Sequence, residues 1–308
     1  MLVSIIIPAC AAETTIGRAV ASLLAQTYPL WEAVIVSDDG QDYAAILAGI
    51  GIADPRLRFI STGAVRSGCH NARNVGLLAA GGEIVCQLDA DDLYDPRRLA
   101  ALAPIAAAHG AVVDNVAVVS DTDGKLLYTA PSGASSAPAL STAALLNLSV
   151  PLFPVLHRRF AIPRLAGVEY AEDLVANMRL IEQLGPLPVF ACALYQYRVV
   201  PGSLCHDENS GPRFEAAYSA YLARLDRGDG FGLVSTCAAA LRGLARKREL
   251  NRLFIEVQRQ RPGLTFQHFM TRYRGSVSCA LETFGRPGLP IAAVAMMPTG
   301  TAGDQSRP

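Results

Sequence analysis

The first 110 residues alternate between two kinds of hydrophobic pattern, and this alternation constrains the fold most strongly. Apolar runs of strand length occur at residues 2–7, 32–36, 56–60 and 83–88. Segments with apolar residues at helical spacing separate them. Because parallel neighbours need a crossover connection, strands that alternate with helices indicate a parallel sheet. The sequence therefore predicts an α/β fold with a Rossmann-like, mostly parallel sheet and helices on both faces.

Local signals place the ends of these early elements. Pro8 is expected to end the first strand, since proline has no backbone N–H to donate. After the fourth strand, Asp95 is the expected N-cap of a helix, with Pro96 at its first position and Gly110 at its stop. These signals put one helix at residues 95–110.

Beyond residue 112 the alternation loosens. Two strands joined by an Asp123-Gly124 turn are expected, followed by a loop at 132–141, a helix at 170–185, a strand pair or one long bent strand at 187–200, and mostly helix from 212 to 284. We divide the chain into a catalytic domain at 1–206, a helical C-terminal region at 207–297 and a disordered tail at 298–308.

Composition excludes several classes of protein. Hydrophobic residues make up 51% of the 308 residues, and 27 basic residues balance 27 acidic ones, so nothing points to nucleic acid. Seven cysteines without a CxxC pair argue against a disulfide framework and a structural zinc site. The sequence shows neither a signal peptide nor an apolar run of about 20 residues. We therefore expect a cytoplasmic protein.

Acidic residues gather where predicted strands end. In parallel sheets ligands bind outside the carboxyl ends of the strands, and that edge receives "PAC" after the first strand, "SDDG" after the second and "DADD" after the fourth. Asp89 and Asp91 are two positions apart and can face one ligand. A pair of carboxylates favours a hard cation, Mn²⁺ or Mg²⁺, that also carries substrate phosphates.

Other phosphate sites are absent from the sequence. No GxGxxG follows the first strand and no GxxxxGK[ST] occurs, which disfavours dinucleotide-binding and P-loop proteins. Basic side chains must then help to hold a phosphate. Arg73, in the helix before the acidic strand, is the candidate for a diphosphate, and a solvent-facing arginine is the alternative.

Ordered motifs resemble those of family 2 glycosyltransferases. They are "VSIIIPACAAETTIGRAVASLLAQTY", "WEAVIVSDDGQD", "ARNVGLLAAGGEIVCQLDADDLYDPRRL", "AEDLVANMRL" and "YRVVPGS". The likeness is strong over residues 2–100 and weaker to about residue 206. It implies a GT-A fold and an inverting, metal-dependent transfer of a sugar from a nucleoside diphosphate sugar, a UDP-sugar being favoured, to an acceptor hydroxyl in surface glycan synthesis.

The resemblance also implies roles for individual residues. The residues implied to bind the nucleotide sugar are Pro8, Ala9, one of Asp38 and Asp39, Arg73, Asp89 and Ala90. The metal ligands of the implied DxD motif are Asp91 and, in support, Asp89. Asp173 matches the catalytic base, with Glu172 beside it. An independent reason supports a carboxylate there, because the acceptor hydroxyl must lose a proton.

Two features depart from the family pattern or lie outside it. Cys10 and Ala11 stand where the family usually has an aromatic residue and an asparagine, which leaves the nucleobase open. His206 is expected either at the surface or near the metal, and Trp31 as a packing residue.

The acceptor is expected to be a glycan or a lipid-linked glycan. A basic amphipathic segment at 246–263 fits either a packed helix or peripheral contact with the inner face of a membrane.

Two other functions remain compatible with the pattern. A nucleotidyltransferase also binds a nucleotide and a metal on an α/β sheet, although "PACAAETT" is neither glycine-rich nor basic. A catalytically inactive nucleotide-sugar-binding protein is the non-enzymatic alternative.

Overall fold

The computed structural model describes residues 1–130, 139–168 and 170–272. Its strands are β1 (Val3–Ala9), β2 (Trp31–Ser37), β3 (Leu57–Ser61), β4 (Ile84–Gln87), β5 (Leu93–Tyr94), β6 (Ala111–Ser120), β7 (Leu126–Ala130), β8 (Ala139–Leu140), β9 (Val155–His157) and β10 (Leu187–Val199). Its α-helices are α1 (Ile16–Leu24), α2 (Tyr43–Gly49), α3 (Cys69–Ala79), α4 (Arg98–His109), α5 (Thr142–Leu146), α6 (Glu172–Leu184), α7 (Ser210–Asp226) and α8 (Cys237–Gln260).

The strands form a mixed sheet in the order β3-β2-β1-β4-β9-β6-β10-β5. Strands β3, β2, β1 and β4 are mutually parallel, as the alternating pattern predicts, and β10 runs parallel to β6. The short strand β9 is antiparallel to both β4 and β6 and joins the two parallel groups. The mostly parallel α/β sheet is confirmed, and its parallel strands bring the loops after β1, β2 and β4 to one edge.

Pro8 lies inside β1 and does not end it. It is paired with Val36 of β2, whereas the pairing of β1 with β4 ends at Ile6 and Gln87. The Ile6 carbonyl accepts a hydrogen bond from the Leu88 N–H, so the backbone of Pro8, two residues later, faces the side where β4 has already ended. The missing N–H therefore leaves no ladder bond unmade.

The segment before α4 differs from its prediction. Leu93–Tyr94 pairs with β10 as strand β5, and α4 begins only at Arg98. The Asp95 carboxylate accepts a hydrogen bond from the Arg97 N–H at 2.9 Å, so Asp95 orders the turn that precedes the helix and is not its N-cap. Gly110 ends the helix as predicted, with φ of 88°.

Helix α3 packs closely on the sheet because Gly76 has no side chain. A Cβ at this position would overlap the side chain of Ile6 and come within 3.1 Å of Val36. The close approach fixes the height of α3 above β1 and β2. Arg73, about one turn earlier on the same helix, is thereby held near the carboxyl edge of the sheet.

One carboxylate of α6 binds the start of α8. Glu182 of α6 accepts hydrogen bonds from three backbone N–H groups and two hydroxyls at the start of α8, contributed by Val234, Ser235 and Thr236. A carboxylate at a helix N-terminus also interacts favourably with the helix dipole. These five bonds fasten α8 to the helix that carries Asp173.

The basic amphipathic segment is a packed helix. Leu253, Phe254 and Val257 of α8 are buried together with Phe269, so this apolar stripe faces protein. None of the described helices combines the length and apolar composition needed to cross a membrane.

Trp31 is buried, as expected of a packing residue, with the Arg56 guanidinium 3.9 Å from its ring centre.

The remaining sequence expectations have mixed outcomes. The two strands around the Asp123-Gly124 turn are confirmed as β6 and β7, and residues 187–199 form the single strand β10, with register shifts between Phe190 and Tyr195. The predicted loop at 132–141 lies largely, and the tail at 298–308 wholly, outside the described residues.

A buried ion pair joins α4 to β6, and its loss should destabilise the protein. The fully buried Arg98 donates to both carboxylate oxygens of Asp114, at 3.0 and 2.8 Å, and to the Phe153 carbonyl. We expect Asp114→Asn to lower the free energy of unfolding by about 3–5 kcal/mol, because the Arg98 charge loses its counterion. Asp123→Asn, at the exposed pair with Lys125, should leave it nearly unchanged. Chemical denaturation measures both, and equal effects would contradict this role.

The attachment of α8 should depend on pH. Hydrogen bonds from Thr236 and from the backbone of Ser235 lower the pKa of Glu182 from 4.5 to about 2. The ionised carboxylate therefore stabilises the fold fully above pH 4.5, and this stabilisation is lost as the pH falls toward 2. We expect Glu182→Gln to cost about 1–3 kcal/mol at pH 7. We would measure the free energy of unfolding of both proteins from pH 7 down to 4. The difference between wild type and Glu182→Gln should become smaller below about pH 4.5. Glu208→Gln, at an exposed position, should unfold with the wild-type free energy throughout.

Candidate active site

The loops after β1 and β2 are joined through Asp39. Its carboxylate accepts hydrogen bonds from the Ala11 N–H at 2.6 Å, the Tyr43 hydroxyl at 2.8 Å, and the Gln41 N–H and Ser37 hydroxyl at 3.1 Å. Burial alone would raise the pKa of Asp39, but these bonds outweigh it and lower the pKa. Asp39 is therefore a fixed, ionised and half-buried carboxylate at the carboxyl edge of the sheet.

The neighbouring Asp38 has a different role. It is 3% exposed, and its carboxylate accepts from the backbone of Ser67 and Gly68 and from the hydroxyls of Thr62 and Ser67, at 2.5 to 3.1 Å. These contacts order the segment that leads into α3. Of the two aspartates that the sequence leaves open, Asp39 is the more exposed.

The three aspartates after β4 are also unequal. Asp92 is fully buried and accepts from the Tyr195 hydroxyl and the Arg198 N–H, both at 2.7 Å, which attaches the loop to β10. Asp91 and Asp89 are half-buried. Burial, and then the negative charge of Asp89, raise the pKa of Asp91 to about 6.

The Asp89 and Asp91 pair fits a divalent cation. A raised pKa at Asp91 means that its negative charge is poorly compensated, and a cation would compensate it. Among the residues that the structure describes, no three His, Cys, Asp or Glu side chains are arranged to hold a metal by themselves. Two carboxylates completed by phosphate oxygens is the arrangement typical of Mg²⁺.

Arg73 is the centre of a buried ionic network. It is 6% exposed, and its guanidinium forms ion pairs with Asp89, at 2.5 Å, and with Glu172 at the start of α6. Arg164 reaches the second oxygen of Glu172 at 3.0 Å. The alternative of a solvent-facing Arg73 is therefore wrong. The contact with a diphosphate stays a prediction, and it must be made while Arg73 holds two protein carboxylates.

Glu172 and Asp173 differ in their surroundings. Burial would raise the pKa of Glu172, but Arg164 and Arg73 lower it, and this 4% exposed carboxylate suits a positioning group better than a base. Asp173 is half-buried, and burial together with the charge of Glu172 raises its pKa to about 6. A carboxylate with this pKa is a stronger base than an ordinary aspartate and is still ionised at pH 7.

Carboxylates from the loop after β4 and from the start of α6 converge near Cys205, which follows β10. Burial raises the pKa of the Cys205 thiol, and the charges of Asp89, Asp173 and Asp91 raise it further. Such an effect requires all three carboxylates to lie close to one sulfur atom. The structure thus brings together the predicted metal ligands and the predicted base, which are separated by more than 80 positions in sequence.

Two alanines at the site have strained backbones. Ala11, whose N–H binds Asp39, has φ of 52°, and Ala171, immediately before Glu172, has φ of 53°. Residues with a side chain rarely adopt this left-handed conformation, and such strain concentrates at functional sites.

His206 is buried, and the expectation of a surface histidine is wrong. Its Nε2 lies 2.9 Å from the Tyr197 hydroxyl, and burial lowers its pKa to about 4. The neutral ring is therefore part of the packing behind β10.

Sequence reasoning missed several residues that support the site. Arg164 and Tyr195 lie outside the motifs, and Arg198 lies within "YRVVPGS" without a role implied by the resemblance. Their contacts with acidic partners identify all three. Asp121 is another, since it accepts from Arg18 of α1 at 2.5 Å and from Arg198 at 3.0 Å.

A small, partly open pocket lies between α3, β4 and α6. Arg73 and Arg164 contribute to its otherwise largely apolar lining, and none of the carboxylates Asp39, Asp89, Asp91 and Asp173 does. It is therefore separate from the group of carboxylates at the edge of the sheet.

The fold resembles solved glycosyltransferase structures. S. aureus TarS 1–349 in complex with UDP-GlcNAc aligns with a TM-score of 0.60, covering 96% of this chain and 84% of that one at 18% identity. Mannosyltransferase PcManGT from Pyrobaculum calidifontis, in complex with GDP-Man and Mn²⁺, aligns with a TM-score of 0.55, covering 95% of this chain and 77% of that one at 17% identity. At these identities the likeness establishes the GT-A fold.

Sequence relatives have roles in bacterial polysaccharides. The chain is 36% identical over 98 residues to the UDP-Glc:alpha-D-GlcNAc-diphosphoundecaprenol beta-1,3-glucosyltransferase WfgD of Escherichia coli, covering 32% of this chain and 38% of that protein. It is 32% identical over 218 residues to the succinoglycan biosynthesis protein ExoO of Rhizobium meliloti (strain 1021), covering 66% of this chain and 62% of that protein. The matches thus span between about two fifths and three fifths of these relatives.

A family model covers the part of the chain that holds the predicted donor site. Residues 4–154 match the model described as Glycosyl transferase family 2. The match includes β1, β2, β4 and the loops that carry Asp39, Asp89 and Asp91. It agrees with the resemblance read from the motifs, with the fold and with the relatives. This stretch of the chain belongs to glycosyl transferase family 2.

Proposed function

We propose that the protein is an inverting, metal-dependent glycosyltransferase that moves a sugar from a nucleoside diphosphate sugar, preferably a UDP-sugar, to an acceptor hydroxyl. The observation that carries this proposal is the Arg73 network. By pairing with Asp89 and Glu172, Arg73 joins the loop that holds Asp91 to the helix that holds Asp173. The pair Asp89 and Asp91 would then bind the donor in the same site in which Asp173 acts as the base.

The nucleoside end of the donor is assigned to the loops after β1 and β2. Asp39 would accept a hydrogen bond from the base, while Pro8 and Ala9 line the pocket through their backbone. The preference for uridine is supported by the UDP-glucose in the name of the relative WfgD and by the UDP-GlcNAc bound to TarS.

The diphosphate end is assigned to the loop after β4. Asp91 and Asp89 would hold Mn²⁺ or Mg²⁺, with Ala90 between them at the donor sugar. A bound divalent ion supplies charge that stabilises the leaving diphosphate. The raised pKa of Asp91 beside Asp89 and the Mn²⁺ in the PcManGT complex support this choice.

Asp173 is proposed to take the proton from the acceptor hydroxyl. The oxygen then attacks the anomeric carbon from the face opposite the diphosphate, the bond to the diphosphate breaks, and the configuration at that carbon inverts. Glu172 holds Arg73 and Arg164 in place and keeps the pKa of Asp173 raised by its own charge.

The acceptor is proposed to be a glycan or a lipid-linked glycan of the cell surface. The lipid diphosphate in the name of WfgD and the role of ExoO in succinoglycan biosynthesis support this class. We place the reaction in the cytoplasm, where nucleotide sugars are available.

Loss of the base should abolish transfer without abolishing donor binding. We expect Asp173→Asn to reduce the turnover number by about 10²–10⁴-fold, since general-base help is worth that much. Asp226→Asn, at an exposed site, should keep full activity. Sugar transfer from a panel of UDP-, GDP- and dTDP-sugars measures the effect. Full transfer by Asp173→Asn would contradict the assignment.

The same assignment predicts the pH dependence of the reaction. Because the pKa of Asp173 is raised to about 6, its ionised form increases through that pH. The transfer rate should therefore rise between pH 5 and 7 and level off above. A rate independent of pH over this range would show that another group takes the proton.

Transfer should depend on the metal, and Asp91 and Asp95 should differ in their importance for metal binding. Chelation by EDTA should stop transfer, and Mn²⁺ or Mg²⁺ should restore it. UDP with Mn²⁺ should raise the melting temperature of the wild type but not that of Asp91→Asn, which lacks the principal metal ligand. Asp95→Asn, four residues away in the turn before α4, should behave as wild type. An Asp91→Asn protein that is stabilised like the wild type would argue against this metal site.

A further inference from the structure

Arg18 of α1 contacts the loop after β4 through the backbone of that loop. Its Nη2 donates a hydrogen bond to the Asp91 carbonyl at 3.3 Å. Its Nη1 lies 2.5 Å from Oδ1 of Asp121, the residue that follows β6. One guanidinium therefore joins the residue proposed as the principal metal ligand to the end of a strand in another part of the sheet.

Asp121 closes a ring of contacts around this loop. The same Oδ1 also accepts from Nε of Arg198 in β10 at 3.0 Å. The backbone N–H of Arg198 in turn donates to Oδ1 of Asp92 at 2.7 Å, and Asp92 follows Asp91 in the chain. The loop is therefore held by α1 on one side and by β10 on the other, and Asp121 holds the two arginines together.

Arg18 holds the backbone of Asp91 and not its carboxylate. Within the described chain no ion pair up to 4.0 Å long includes the Asp91 side chain, whereas Asp89 pairs with Arg73. An arginine paired with the Asp91 carboxylate would compete with a cation for the same oxygens. A hydrogen bond to the carbonyl fixes the residue without that competition.

Helix α1 is a fixed support for the Arg18 side chain. In the loop before it, the Ala11 N–H donates to Asp39 at 2.6 Å and the Ala12 N–H donates to the Tyr43 hydroxyl at 3.1 Å. The buried residues of the helix are Ile16, Ala19, Val20 and Leu23. The position of the Asp91 backbone is thus set relative to the loop that is assigned to the nucleoside.

We propose that Arg18 and Asp121 are positioning residues for metal binding, which act by holding the backbone of Asp91. Residues that hold metal ligands in place through hydrogen bonds are important for metal affinity. This inference rests on the proposed function and gives a role in it to two residues that the family resemblance leaves without one.

A titration with Mn²⁺ tests this role without measuring transfer. The electron paramagnetic resonance signal of free Mn²⁺ decreases when the ion binds to protein, so the titration gives a dissociation constant. It is made on the full chain in the presence of saturating UDP. We expect Arg18→Gln and Asp121→Asn each to weaken Mn²⁺ binding by about 10–100-fold.

The double variant separates a shared role from two independent ones. Because Asp121 is proposed to act largely through Arg18, the variant that carries both substitutions should bind Mn²⁺ no more weakly than the weaker single variant. Binding of UDP in EDTA, followed by ligand-observed NMR, should be the same in all of these proteins, since neither residue is proposed to contact the donor.

The ion pair between Arg56 and Asp54 is a matched control. It is 2.8 Å long, and the Arg56 side chain is 33% exposed, against 32% for Arg18. It lies before β3, at the amino edge of the sheet. Arg56→Gln and Asp54→Asn should therefore bind Mn²⁺ with the wild-type dissociation constant.

Three results would overturn the inference. They are wild-type Mn²⁺ affinity in both variants, an equal weakening in the control pair, and a loss of metal-free UDP binding in Arg18→Gln, which would make Arg18 a donor ligand. A wild type that binds no Mn²⁺ with UDP counts against the metal site of the proposed function itself. If thermal unfolding shows that Arg18→Gln does not fold, Asp121→Asn and its control decide.

Discussion

The site depends on the buried guanidinium of Arg73. It contacts both the loop after β4 and the start of α6, through Asp89 and Glu172. A buried charge is tolerated only with good partners, and here two carboxylates and the nearby Arg164 compensate one another. The same network sets the electrostatics of the proposed base, since Glu172 raises the pKa of Asp173 while Arg73 and Arg164 oppose it.

The three carboxylates after β4 have different contacts and different roles. Asp92 is an internal anchor that holds the loop against β10 through Tyr195 and Arg198. Asp89 faces Arg73, whereas burial and the negative charge of Asp89 raise the pKa of Asp91. The repulsion among them is therefore spread over a structural contact, an ion pair and one position where a cation fits. A single motif in the sequence becomes three different environments in the fold.

The early half of the fold could be predicted because its signals are local. Hydrophobic period and strand order place the loops that carry Asp39 and Asp91 on one edge. The three-residue strand β9 and the network around Arg73 could not be predicted in this way, because both are formed by contacts between distant segments. The prediction that Pro8 ends β1 is wrong for a related reason. A proline can lie inside β1 because the neighbouring strand β4 has already ended there.

The attachment of α8 has a consequence for how such a chain can diversify. Of the five bonds that Glu182 accepts, three come from backbone N–H groups, which any residue except proline supplies. The attachment of α8 to α6 therefore depends little on which side chains stand at the start of α8. The exposed residues of α8 can therefore change without loosening this attachment, whereas buried ones such as Ala240 and Leu244 remain constrained by packing.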